Sequence, residues 1–147
     1  MVQVGDVAPD FTLPDQHGRS CALSAHVGPV LVVFFPAAFT PVCHGELQAL
    51  GPIAQDVTVL AVSCDSMYVM RAVSDAEGID FALLSDFWPH GDVARAYGAF
   101  DDATGTARRV TVLVDAQGVV AARWQSPAGQ ARDSAEYLRA LADLRAG

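Results

Sequence analysis

Val30-Leu31-Val32-Val33-Phe34-Phe35, followed at once by Pro36-Ala37-Ala38-Phe39-Thr40-Pro41-Val42-Cys43-His44-Gly45-Glu46, is the stretch on which the fold turns. A continuous apolar run rich in β-branched and aromatic residues marks a strand covered on both faces. Thr40 suits the N-cap of a helix, and Pro41 suits its first position, where no amide hydrogen is needed. The spacing predicts a helix from about residue 41 to 55, with Cys43 inside its first turn. Amides in that turn have no partner within the helix, and the dipole end is positive. Both effects favour thiolate over thiol. The Thr40 hydroxyl lies within reach of the sulfur or of a bound substrate. A free cysteine more often packs as a small hydrophobe. Few constraints other than thiolate chemistry, however, place one in a first helical turn directly after a buried strand.

Outward from this stretch, strand-like and helix-like segments alternate without a linker or repeat. Residues 11–13 and 20–23 read as a short hairpin around Asp15-Gln16-His17-Gly18. A second buried strand is predicted over 57–63, a helix over 67–77 ended by Gly78, and a short strand over 81–84. A short helix over 92–97 stops at Gly98. Residues 109–114 and 119–124 flank Asp115-Ala116-Gln117-Gly118, a hairpin signal. An amphipathic helix over 134–145 follows. Parallel crossovers early and a hairpin late give a mixed central sheet with helices on both faces, an α/β fold. In such sheets ligands bind at the carboxyl ends of the strands, which directs attention to the residues after Phe35.

Composition narrows the chemistry. The 147 residues make one domain, 1–147, and 52% hydrophobic with 18% charged residues excludes disorder. Seventeen acidic against nine basic residues leave a net charge of −8, and every basic residue is arginine. Scattered arginines supply no basic face for nucleic acid or an anionic membrane. The absence of lysine excludes a Schiff base, a pyridoxal anchor and a P-loop. Three cysteines are too few for a disulfide scaffold. The apolar run over 29–39 is far short of the roughly 20 residues that span a bilayer. With no leader pattern at the N-terminus, a soluble, cytoplasmic protein is expected. The histidines lack ligand spacing, no C-x-x-C occurs, and no metal or cofactor is expected. His44 is expected to be exposed beside the pocket, and Trp88 to pack at a pocket rim or dimer edge.

Pro36-xxx-Thr40-xx-Cys43 resembles the PxxxTxxC signature of the peroxiredoxins, thiol peroxidases on a thioredoxin-like fold. Val7-Ala8-Pro9-Asp10-Phe11-Thr12-Leu13, Leu60 to Ser66, and Leu84 through Gly98 are similar to further family segments. Arg109 stands before a strand, where the family keeps its active-site arginine. The wording Ser85-Asp86-Phe87-Trp88-Pro89-His90-Gly91 is most similar to the one-cysteine alkyl hydroperoxide reductase E branch.

The resemblance implies a thioredoxin-like fold and a peroxidase acting on hydrogen peroxide, alkyl hydroperoxides or peroxynitrite. Cys43 would be the nucleophile and pass through a sulfenic acid. Thr40 and Arg109 would hydrogen-bond the peroxide oxygens, Pro36 would shield the sulfur, and Glu46 would orient Arg109. Neither Cys21 nor Cys64 matches a resolving position, so a one-cysteine route is expected. Its reductant would be a low-molecular-weight thiol or a glutaredoxin- or mycoredoxin-like protein, and the protein would be a homodimer. The same residues also suit a redox sensor that passes Cys43 oxidation to a partner, or an inactive binding module. Rapid peroxide consumption separates the enzyme from both.

Overall fold

A computed structural model describes residues 1–146. The chain opens with hairpin strands β1 (Thr12–Pro14) and β2 (Ser20–Ala22), and a single 3₁₀ turn over Leu23–Ala25 leads to β3 (Val30–Phe34). Helix α1 (Pro41–Ile53), β4 (Thr58–Ser63), α2 (Met67–Glu77) and β5 (Ala82–Ser85) complete two parallel crossovers. Then come α3 (Asp92–Ala96), a small hairpin of β6 (Phe100–Asp101) and β7 (Thr106–Ala107), strands β8 (Arg109–Val114) and β9 (Val120–Ser126), and α4 (Ser134–Ala146).

The local signals explain the element ends. Asp15 Oδ1 accepts from the amides of His17 and Arg19 at 2.8 and 3.0 Å, which closes the first hairpin. Ser66 Oγ accepts from the Val69 amide at 3.3 Å and caps α2. That helix ends on Gly78 at φ 66°, the left-handed terminator that glycine adopts without a Cβ penalty. The β6–β7 hairpin has no counterpart in the sequence reading, because two-residue strands carry no periodicity to detect. Gly91, at φ 70°, lets Phe100 of β6 pack closely: a Cβ there would stand 2.2 Å from its ring.

The central sheet has five strands in the order β5-β4-β3-β8-β9. β3, β4 and β5 are mutually parallel, β8 runs antiparallel to β3, and β9 runs antiparallel to β8. This is the mixed sheet expected. All five residues of β3 are buried because it is the central strand and both its faces are covered. Alternate side chains divide the interior into two cores. Leu31, Val33, Ala61 and Leu83 face α1, α2 and α4. Val32, Phe34, Val62 and Val112 face α3, Tyr97 and the N-terminal hairpin.

Trp88 stands at a pocket rim, one of the two places expected for it. Its side chain is 81% exposed, and it contributes only to the rim of a cavity of about 190 Å³ with Phe11 and Asp86. Among the described residues no helix is long and apolar enough to cross a membrane.

Candidate active site

The antiparallel pairing of β8 with β3 sets Val33 against Thr111 and so brings Arg109, the first residue of β8, to the carboxyl end of β3. The same end of β3 feeds the loop into α1. Helix spacing then places Cys43 and Glu46 on one face of α1, three residues apart. Both are buried, Cys43 fully and Glu46 at 8% exposure.

Arg109, itself buried, spends its donors in three directions. Nη2 donates to Cys43 Sγ at 3.1 Å, Nη1 donates to Glu46 Oε1, and Nε donates to the Ala128 carbonyl at 2.6 Å. A planar guanidinium anchored at two corners presents its third with a fixed direction. The expected grouping of Cys43, Arg109 and Glu46 is therefore present in the geometry.

Arg132 was not anticipated. Its amide and Nε donate to Glu46 Oε2 at 2.7 and 2.8 Å, and its Nη2 donates to Oε1 at 2.9 Å. Nη1 donates to Thr111 Oγ1 at 3.0 Å, and that hydroxyl also pairs with the Tyr137 hydroxyl at 2.8 Å. One carboxylate is thus held between two buried guanidinium groups. Burial pushes the Glu46 carboxyl up, but the hydrogen bonds and charge of Arg132, with the charge of Arg109, outweigh it and hold it below the usual carboxylate range. Counting charges, the two arginines and one carboxylate leave one positive charge uncompensated, and the group nearest to it is the sulfur. No local pattern marks Arg132, which stands 86 positions from its partner just before α4.

Replacing Arg132 by methionine tests this clamp. The Glu46–Arg109 pair and the bond from the backbone amide of residue 132 survive, but Glu46 loses two side-chain donors, so unfolding in urea at neutral pH should show a loss of about 2–4 kcal/mol. An unchanged urea midpoint would mean that the buried clamp contributes nothing net.

Thr40 sits at the N-cap with extended backbone, and its carbonyl accepts the first helical bond, from the His44 amide, at 2.8 Å. Its hydroxyl neither caps the helix nor reaches the sulfur; it donates to the Ala37 carbonyl at 2.9 Å. Pro36 is half-buried at the start of that loop. Phe39 adopts φ 64°, a left-handed conformation rare for an aromatic residue, with its side chain 57% exposed. Asp65 holds the loop in place: its Oδ2 accepts from the Ala38 amide at 2.9 Å and from Ser63 Oγ at 2.6 Å. His44 is exposed as expected, and its Nδ1 pairs with Glu77 on α2.

The other two cysteines lie across the sheet. Cys43 belongs to the core beneath α1, α2 and α4, whereas Cys21 packs against the opposite core. Cys64 is buried near Ala107 and Asp86, on that opposite side too. Burial, together with the charges of Asp86 and Asp65, pushes its thiol up to about 11. Burial likewise raises the Cys21 thiol, with Asp15 adding to the effect. No cluster of histidine, cysteine or carboxylate able to hold a metal occurs among the described residues.

Residues 4–123 match the AhpC/TSA family. Alkyl hydroperoxide reductase E of Mycobacterium tuberculosis is 40% identical over 153 residues, covering 99% of this chain and 100% of that protein. Peroxiredoxin Bcp of Escherichia coli is 30% identical over 131 residues, covering 81% of this chain and 83% of the other. The crystal structure of peroxidoxin BcpB from Mycobacterium tuberculosis superposes with a TM-score of 0.86 at 29% identity, covering 99% of this chain and 98% of that one.

Proposed function

This chain belongs to the AhpC/TSA family, the peroxiredoxins, and is a thiol-dependent peroxidase; we propose that Cys43 is the sulfur that attacks the peroxide, by a one-cysteine route. One observation carries the assignment: Arg109 Nη2 stands 3.1 Å from Cys43 Sγ, backed by Glu46 and Arg132. The Cys43 thiolate attacks the outer oxygen of the peroxide. A sulfur–oxygen bond forms, the oxygen–oxygen bond breaks, and the alkoxide or hydroxide leaves and takes up a proton. Arg109 is placed to stabilise the negative charge that moves from sulfur to the departing oxygen, as preorganised donors do. Thr40 Oγ1, with its proton committed to Ala37, is free to accept the peroxide hydroxyl. Pro36 walls the loop on the solvent side of Cys43.

The product is a sulfenic acid on Cys43. An external thiol attacks it, water leaves, and a mixed disulfide forms; a second thiol then releases the disulfide and restores Cys43. The positions of Cys21 and Cys64 on the other side of the sheet support an external reductant, and the raised thiol of Cys64 disfavours attack by that residue. The partner is a low-molecular-weight thiol or a glutaredoxin- or mycoredoxin-like protein, in a reducing, cytoplasmic setting that suits three free cysteines. Exposed Phe39, Phe87 and Trp88 suit a homodimer, since aromatic residues are enriched at interfaces.

Mass spectrometry of peroxide-treated protein with a sulfenic-acid trap should find the adduct on Cys43. The double variant Cys21→Ser, Cys64→Ser should consume peroxide with a small thiol within about twofold of the parent rate, a change too small to represent loss of a resolving step. A Cys43–Cys64 or Cys43–Cys21 disulfide, or a collapse of turnover in the double variant, would overturn the one-cysteine route.

A further inference from the structure

A cavity of about 430 Å³ shares Pro36 and Arg109 with the active site and is lined further by Asp101, Thr106, Arg108 and Gln125. Its size falls within the roughly 300–1,000 Å³ of small-molecule sites. The β6–β7 hairpin forms one wall, so this cavity exists only because of the element that local patterning missed.

Arg108 is the unusual member. The other arginine side chains all have a carboxylate, carbonyl or amide oxygen as partner. Arg108 has none among the described residues, in a chain of net charge −8 with 17 acidic side chains available. It is exposed, while its neighbour Arg109 turns inward to the sulfur. Gln125 adds a second donor group: its Oε1 accepts from Arg123 Nη2 at 2.8 Å, which leaves its Nε2 without a partner among the described residues. One carboxylate opposes them, that of Asp101, whose Oδ1 accepts from the Ala103 amide at 2.9 Å.

We propose that this cavity seats the organic part of a carboxylate-bearing alkyl hydroperoxide, with the carboxylate on Arg108 and Gln125 and the peroxide end at Arg109 and Cys43. The inference rests on Cys43 being the peroxidatic sulfur. The covalent step is unchanged: the thiolate takes the outer oxygen, and the organic part leaves as the hydroxy acid. Pairing with an exposed guanidinium contributes up to about 1 kcal/mol, which corresponds to about a fivefold preference.

The test uses a matched pair, hydroperoxyhexanoate and its methyl ester, which differ in charge and hardly in shape. The ratio of their rate constants for Cys43 oxidation should favour the acid in the parent protein. It should fall about fivefold in Arg108→Gln, from the loss of one ion pair, and rise in Asp101→Asn. Hexanoate binding to Cys43→Ser protein, followed by calorimetry, should weaken when Arg108→Gln is added. An unchanged ratio, or equal hexanoate binding with and without Arg108, would overturn the proposal. So would a parent protein that reacts with hydrogen peroxide and with neither organic compound. If hydrogen peroxide itself leaves Cys43 unoxidised, the assignment of Cys43 fails, a result distinct from failure of the subsite.

Discussion

Cys43→Ser will lower peroxide consumption to the uncatalysed background while the protein remains folded. Serine is close to cysteine in size, and the site is fully buried, so packing changes little. The chemistry changes entirely, because a hydroxyl is not ionised at neutral pH and the sulfenic acid has no counterpart. Losses on removing a nucleophile run to several powers of ten, about 10³ or more. The check is peroxide decay with excess small thiol, with circular dichroism to confirm the fold. Retention of more than about a tenth of the parent rate would place the chemistry elsewhere, since a nucleophile's removal costs far more than that.

Glu46→Gln will have the largest effect on stability. Arg109 and Arg132 side chains are each 3% exposed, and both rely on this carboxylate. An amide keeps the shape and removes the charge, leaving two buried guanidinium groups without a counterion. Breaking a buried pair in this way costs about 3–5 kcal/mol, because the remaining charge stays desolvated. The rate should also fall, by about tenfold to a hundredfold, as Arg109 loses the anchor that aims it at the sulfur. A pH series provides the independent readout. The folded-state Glu46 carboxyl titrates below its unfolded value, so its stabilisation is fully present above about pH 4.3 and is lost as pH falls through the lower folded value. The parent should therefore lose stability below about pH 4, and the variant should lack that component. Equal urea midpoints for the two proteins at pH 7 would show that Glu46 is not the counterion of this cluster.

The same cluster shows where reading the chain succeeds. Cys43 was legible from its place in the first turn of a helix after a buried strand; Glu46 came from the family resemblance, and helix spacing then set it on the face of Cys43. The strand over 30–34 and the helix at Pro41 were legible for a related reason: burial pattern and cap chemistry are written in adjacent residues. Arg109 came from the family resemblance, and β8 pairing with β3 then carried it to the sulfur. The small β6–β7 hairpin was not legible, because two-residue strands have no period and owe their place to Phe100 packing on Gly91. Thr40 stands at the N-cap as expected, but its hydroxyl proton goes to the Ala37 carbonyl and not to the sulfur. Trp88 was placed at a pocket rim or dimer edge, and the fold sets it, largely exposed, on the rim of a cavity.

By itself, then, the sequence determined the α/β alternation, the cysteine in a first helical turn after a buried strand, and arginine as the cation beside it, since no lysine exists to serve. These rest on interactions between residues a turn or a strand apart, and on composition. Only the tertiary structure decided that Arg132 closes the clamp on Glu46, that Cys21 and Cys64 lie across the sheet from Cys43, and that Arg108 borders a cavity without a partner among the described residues. Each of these depends on which face of the sheet a side chain meets, and on contacts between segments far apart in the chain. Local propensity carries no information about such contacts until the sheet has assembled.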